Sequence, residues 1–551
     1  MRKFRNLTFI LSLAAGPVFA QQQPWQTEAE IGSEEVVIVK ERENELPPAV
    51  RSYQKVPPQK LSERKENIRY QFPEFSLQLK PVDPTVRVLT IKADPPVPYY
   101  NHYIKAGVGN YFSTYLDAWI NSEKNPSSLY GLELKHRGAA RGPVDKGNSG
   151  YSKNKIKGHA KFFGRNLTLD SEAYYQRSRF NFYGYDEEAL DPEKSGLKQV
   201  FNQMGARLAI KNAENDRLGL GAGVAFYRTS SFLDARENLG MAEGTLRYEL
   251  SDVLGVRLDS DLLVSNYKDS TSLSRNVFRV SPAFRFDYAP VEILAGFNIA
   301  YENDTAGNAD QLHFYPRAEV RITPSESVEA WIGVEGNILP FTYQSLVNEN
   351  PFVGEYLPLL HSNKTIDFYG NVKGRIGGGF GFGAGFSVAN YKNMFFFVNS
   401  LEDSSRFEVI YDNGNTAIVN GYGELSYTVT DRFLTSLRAD YFAYNTDDVA
   451  AAWHKPEYKV EWLANYNLYD KILFSANAFV LGGITAREIG TLDTEVELKP
   501  IADLGVGIEY LFSPQAAAFL QLENILSQQF ERYYHYPSRG IVVTIGGSYA
   551  F

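Results

Sequence analysis

Period-two alternation of apolar and polar side chains dominates the chain from Tyr99 to Phe551. Between Lys364 and Ile376, the residues Ile366, Phe368, Gly370, Val372, Gly374 and Ile376 share one face, and Asp367, Tyr369, Asn371, Lys373 and Arg375 the other. Successive β side chains point to opposite sides, so such a strand has one apolar and one charged face. The split recurs in Val256, Leu258, Leu262 and Val264 against Arg257, Asp259 and Asp261. It recurs again in Ala318, Val320 and Ile322 against Arg317, Glu319 and Arg321, and in Leu437, Ala439 and Tyr441 against Arg438 and Asp440. A soluble sandwich alternates in the same way, and the connections separate the two cases. Short turns near 251–252, 289–290, 324–325, 430–431, 470–471 and 513–514 alternate with longer connections at about 265–275, 303–310, 340–363, 390–416, 444–457, 484–500 and 528–540. Short turns at one rim and long loops at the other are expected of a membrane barrel. The predicted fold is all-β: a transmembrane antiparallel β-barrel over residues 99–551, of about 22 strands (an even number, range about 16–22). The stretch 390–416 has room to hide a further pair.

The C-terminal strand sharpens this reading. Ile541, Val543, Ile545, Gly547, Tyr549 and Phe551 fall on one face, and a barrel strand ending on Tyr549 and Phe551 matches the terminal signal read by the barrel assembly machinery. Tyrosines near strand ends, such as Tyr99, Tyr100, Tyr103, Tyr441 and Tyr444, suit the aromatic girdles of a barrel in outer-membrane lipid. The run Gly377 to Phe386 lacks the spacing of a phosphate-binding loop and reads as a tight turn followed by a strand with Phe outward and Gly inward.

The N-terminal region has a different texture. Arg2, Lys3 and Arg5, an apolar stretch from Leu7 to Ala15, and the small-residue site Val18-Phe19-Ala20 make residues 1–20 a secretory signal peptide. Residues 21–98 hold eleven prolines among dense charge of both signs. Proline removes a donor and fixes φ, so the segment is predicted to be extended and periplasmic, as is the C-terminus. The chain has no Cys, which excludes disulfides, Cys-based metal centres and a lipidated mature N-terminus. Its 65 acidic residues outnumber 56 basic ones, against nucleic acid as a partner. The seven histidines are dispersed, with neither paired-ligand spacing nor a nucleophile elbow. No enzyme activity, metal site or cofactor is therefore expected.

The stretch Glu523-Asn524-Ile525-Leu526-Ser527-Gln528-Gln529-Phe530-Glu531-Arg532, followed by Tyr534, Tyr536-Pro537, Arg539-Gly540 and a Gly-rich terminal strand, resembles the last two strands of TonB-dependent receptors. The close match covers about 30 residues. It implies an outer-membrane barrel of about 22 strands in a Gram-negative bacterium, acting in transport. Near the mature N-terminus, Glu34, Glu35, Val36, Val37, Ile38 and Val39 look like a TonB box, the segment that pairs with the energy-transducing protein TonB by strand addition. One departure stands out: the family places a globular plug before its barrel, and residues 21–98 carry no plug-like motif.

A barrel of this size has a wide lumen that something must fill. Two functions follow. One is solute transport across the outer membrane by a plug-less or plug-reduced barrel. The other is a non-transporting structural subunit whose N-terminal segment and long loops bind another outer-membrane or periplasmic protein. The lumen-facing candidates are Arg317, Glu319, Arg321, Lys373, Arg375, Arg438 and Asp440, whose mixed signs are equally explained by salt bridges between neighbouring strands. The apolar loop 340–363, with Phe341, Tyr343, Phe352, Tyr356 and Leu357, is expected either to collapse as an aromatic cap, to fold into the lumen or to receive a partner.

Overall fold

Twenty-two strands form one antiparallel sheet in which sequence neighbours pair, in a computed structural model that describes residues 100–551 apart from 186–195, 213–216, 305–308, 431 and 493. The signal peptide, the Pro-rich segment and Glu34–Val39 lie outside the described residues. The first strand, His102–Gly109, pairs antiparallel with the last, Val542–Ala550, so the sheet closes on itself and leaves no edge. Closure fixes the residues at the seam. A Cβ on Gly546 would stand 2.0 Å from the Ala106 carbonyl oxygen and 2.6 Å from the Gly107 Cα, so the two strands can pair only over glycine there. Among the described residues no helix is long and apolar enough to cross a membrane.

The alternation read from the sequence appears as two faces. Phe278, Phe314, Ile332, Phe368 and Leu425 lie exposed on the outside, a band that a soluble protein could not leave bare. The strand Ser362–Ile376 shows the split within one element: Phe368 and Ile376 are exposed, while Asp367 and Asn371 are buried on the other face. After it, Gly378 and Gly379 adopt φ of +80° and +88°, the left-handed turn that glycine permits, and the next strand, Phe380–Lys392, places Phe380 and Phe386 outward.

Several expectations about connections change. The predicted long connection at 265–275 is a tight turn, because the strands Leu254–Lys268 and Ser272–Tyr288 pair right up to Ser272 opposite Lys268. Asp269 accepts from the Thr271 amide at 2.8 Å and from the Tyr267 hydroxyl at 2.9 Å and holds that turn. The polar residues that look like a loop in the sequence, Ser265 and Arg275 among them, are instead buried on the inner face. The stretch 390–416 does contain an extra pair, Met394–Asn399 with Phe407–Asp412, as a separate hairpin outside the barrel sheet. A second small hairpin, Thr485–Arg487 with Glu495–Glu497, occupies the 484–500 connection. Tyr103 and Tyr444, read as girdle residues, face inward: Tyr103 stacks on Trp119 at 5.3 Å, and the Tyr444 hydroxyl donates to the Pro456 carbonyl. Each falls on the opposite face from an exposed residue of its own strand, Ile104 next to Tyr103 and Tyr441 three positions before Tyr444.

An aromatic cap of loops as the candidate functional site

The long-loop rim carries a second core. Phe341, Tyr343, Leu346, Val347, Val353, Leu357, Leu359, Phe397, Phe407, Tyr533 and Tyr536, from three connections, form one buried cluster that is seated on Phe201 and Tyr267 of the wall, with Phe180, Tyr183 and Phe352 packed against it. The connection after Leu339 contributes a helix, Tyr343–Glu349. Its start is set by Thr342, whose hydroxyl accepts from the Ser345 amide while Ser345 returns a bond to the Thr342 amide. The helix docks on strands far from its own in ring order. Gln344 donates to the Tyr174 hydroxyl at 2.7 Å, and Gln203 donates to the Asn348 side chain at 2.9 Å.

The loops then bind one another. The hairpin residue Phe407 exchanges two backbone hydrogen bonds with the 340–361 connection, its amide to the Phe352 carbonyl and its carbonyl to the Gly354 amide, both at 2.9 Å. Phe352 stacks on Tyr536 at 3.8 Å, the Tyr536 hydroxyl donates to the Ser405 carbonyl, and the Tyr533 hydroxyl donates to the Glu349 carbonyl at 2.7 Å. Each tyrosine thus buries its ring and satisfies its hydroxyl, and burial pushes the Tyr343, Tyr533 and Tyr536 hydroxyls well above the usual phenol range.

Two buried histidines tie the cap together. His454 Nδ1 donates to the Phe397 carbonyl at 2.8 Å, and its Nε2 accepts from the Tyr534 amide at 3.3 Å. One neutral tautomer satisfies both partners, and burial pulls its pKa down from 6.5 to about 3. His361 sits where the first cap connection re-enters the wall. Its Nδ1 accepts from the Phe341 amide at 3.1 Å, so the two ends of that connection clasp each other. Its pKa is also lowered to about 3, by burial first and then by Arg275 and Arg279. Arg275 anchors the same clasp from the wall: it donates to the Phe341 carbonyl and pairs with Glu237 at 2.7 Å, both side chains fully buried.

On the inner side of the wall most of the sequence-predicted charges are paired with an opposite charge. Arg317 pairs with Asp259 at 3.3 Å, Arg321 with Glu319 at 3.4 Å and with Glu329 at 3.3 Å, Lys373 with Glu329 at 2.8 Å, and Arg438 with Asp440 at 2.9 Å. Arg375 is exposed. Tyr549 and Phe551 lie on the outer face and stack at 5.7 Å. Between the cap and the strands near the seam lies a cavity of about 370 Å³, lined by Tyr151, Lys153, Phe352, Glu523, Asn524 and Arg539. The Arg539 guanidinium lies over the Tyr151 ring at 5.1 Å, and its Nη1 is buried with no hydrogen-bond partner.

The geometry can be set beside known proteins. Neither a protein-family model nor a curated protein matches the chain in sequence. Solved structures do match in shape. The FrpB iron transporter of Neisseria meningitidis superposes with a TM-score of 0.64 at 10% identity, covering 83% of this chain and 82% of that one. The ferric-catecholate import receptor Fiu of E. coli K12 gives 0.62 at 9% identity, over 83% and 82%. The described chain shares the closed barrel fold of these two proteins. The siderophore receptor PirA of Acinetobacter baumannii has the same fold at a TM-score of 0.62 and 10% identity, over 83% of this chain and 81% of that one. Within this barrel, the C-terminal stretch has a definite place: Tyr533 and Tyr536 belong to the cap core, and Arg539 lines the cavity beside it.

Sequence reasoning missed Arg275, Glu237, His361 and His454. The histidines are far apart in the chain, and only the folding of loops onto distant strands brings them to the cap. A signal exists in Arg275, a charge set among polar residues where the alternation lapses.

Proposed function

We propose that this protein is an outer-membrane transport barrel in which the aromatic cap is the gate at the long-loop rim. The observation that carries the reading is the single core formed by loops from separate parts of the ring, since a barrel of 22 strands encloses a lumen wide enough to pass solutes unless it is obstructed. The iron and siderophore receptors that share the fold support a transport role. The inner charges, among them Arg317, Glu319, Arg321, Lys373, Arg375, Arg438 and Asp440, then line a wet passage, and the cavity beside Arg539 is the first place a solute meets below the cap. Residues 21–98 act from the periplasmic side, with Glu34–Val39 as the segment offered to TonB, and Tyr549 and Phe551 serve assembly.

Planar-bilayer conductance tests this reading. Four proteins are compared: the full chain and a chain lacking residues 21–98, each with the cap intact or with residues 395–411 replaced by a short turn. Current is expected to rise when the cap is trimmed, most of all without residues 21–98. No current from any of the four would sink the gate and leave the structural-subunit reading, for which partner capture by the intact loops is the matching measurement.

A further inference from the structure

At the root of the cap, two strand residues and one loop residue bring three ligand-type side chains together in a buried place. Glu302 and Asp304, two apart on the strand Val291–Asp304, share its inner face, and His361 meets them from the end of the cap connection. One ligand atom from each lies within 4.8 Å of the other two, and all three residues are buried. His361 Nε2 has no hydrogen-bond partner, although its side chain is fully buried. It stands 4.0 Å from an Asp304 carboxylate oxygen, too far for a hydrogen bond. Two ligands of a tetrahedral ion, each at about 2.0–2.2 Å, stand roughly 3.3–3.6 Å apart, so a shift of about half an ångström brings this pair to coordinating distance. On the adjacent strand His313 Nε2 lies 3.4 Å from a Glu302 oxygen, likewise without a hydrogen bond.

Two neighbouring guanidinium groups are engaged elsewhere, while the Lys392 ammonium lies near His313. Arg275 pairs with Glu237 and Arg279 with Asp261, at 2.7 and 2.8 Å. Mixed imidazole and carboxylate donors suit a divalent transition metal better than Ca²⁺ or Mg²⁺, which prefer oxygen alone.

We propose that Glu302, Asp304 and His361, with His313 as the nearest further donor, bind a divalent transition-metal ion such as Zn²⁺ or Ni²⁺, and that its binding loosens the cap. The second half follows from one hydrogen bond. A neutral imidazole has one nitrogen lone pair, and here the Phe341 amide occupies it at Nδ1, so the ring proton sits on Nε2. Coordination through Nε2 requires that proton on Nδ1 instead. Nδ1–H would then face the Phe341 N–H, donor against donor, and the clasp between the two ends of the cap connection is lost. The Arg275 bond to the Phe341 carbonyl remains, so the connection is released at one point and tethered at another. Metal and clasp compete for the same imidazole. The loosening matters for transport only if the cap is the gate; the cation site itself does not depend on that reading.

The test uses the full chain. Isothermal titration with Zn²⁺ is expected to show one ion bound per chain, with affinity lowered about tenfold or more in Glu302→Gln and in His361→Asn. Asn is chosen because its side-chain oxygen still offers the Phe341 amide an acceptor. Because the chain has no Cys, Tyr356→Cys and Phe232→Cys together can carry the only two spin labels, and Zn²⁺ should broaden their distance distribution with His361 present but not with His361→Asn added. Absence of saturable binding, or unchanged binding in both variants, overturns the site. Bound Zn²⁺ with an unmoved distance distribution overturns the coupling. Neither readout depends on conductance, so failure here is distinct from failure of the gate.

Discussion

Phenylalanine and tyrosine serve the barrel in two opposite ways. On the wall, Phe314 is 64% and Phe278 46% exposed, each facing outward from a strand whose pairing is complete without it. In the cap, Phe396 and Phe407 are 0% exposed and Tyr343 is 1%, and these side chains are themselves what holds the loops together. The wall is fixed by backbone hydrogen bonds between sequence neighbours and needs lipid to cover its aromatics. The cap is fixed chiefly by side-chain packing between distant segments, with the two Phe407 backbone bonds added, and needs water excluded from it. Cap and wall should therefore fail separately, and a gate is built from the part that can fail without the rest.

The sharpest way to break this comparison is to truncate the centre of the cap. Phe407→Ala removes a fully buried ring and should cost about 3–5 kcal/mol of cap packing. Proteolysis in the 395–411 hairpin should accelerate, while heat-modifiable migration of the barrel on gels stays normal. The reciprocal change is Ile332→Arg on the outer face, expected to cost about 2–4 kcal/mol near mid-membrane and to lower assembled protein, with cap proteolysis in the surviving fraction unchanged.

Acid offers a smaller, graded probe of the cap alone. His361 and His454 have folded-state pKa values of about 3 against an ordinary 6.5, so an opened cap binds protons that the closed one refuses. The closed form has its full advantage above about pH 6.5 and loses it steadily as pH falls from 6.5 toward 3. Acrylamide quenching of Trp453, in a variant with the other four tryptophans replaced by Phe, should rise across that window and stay flat between pH 7 and 9. The smallest effect belongs to the inner charges. Lys373→Ala breaks a pair with Glu329 whose lysine side chain is 58% exposed, and should change stability by no more than about 1 kcal/mol in urea titration.

The wall was largely legible in the sequence because its determinants are local. Period two sorts Phe368 from Asp367 without reference to any other strand, and turn chemistry marks the short rim. Where polar residues are buried, as at Ser265 and Arg275, the same logic mistakes strand for loop, because it assumes that polarity means solvent. The cap was legible only as a tendency. The loop 340–363 is visibly apolar, but nothing in it specifies Phe407 or Tyr536 as its partners. His361 and His454 illustrate the limit most plainly: each is defined by a backbone amide or carbonyl contributed by another loop or by the far end of its own.

Hydrogen–deuterium exchange resolved by segment, on the intact protein in lipid nanodiscs near pH 7, tests the separation of cap from wall most directly. The account predicts two tiers: amides of 395–411, 446–457 and 528–538 exchanging together and faster than those of the strand Ser362–Ile376, with Phe407→Ala speeding the first group and leaving the second unchanged. A single tier, or a cap substitution that speeds wall and cap alike, would contradict it.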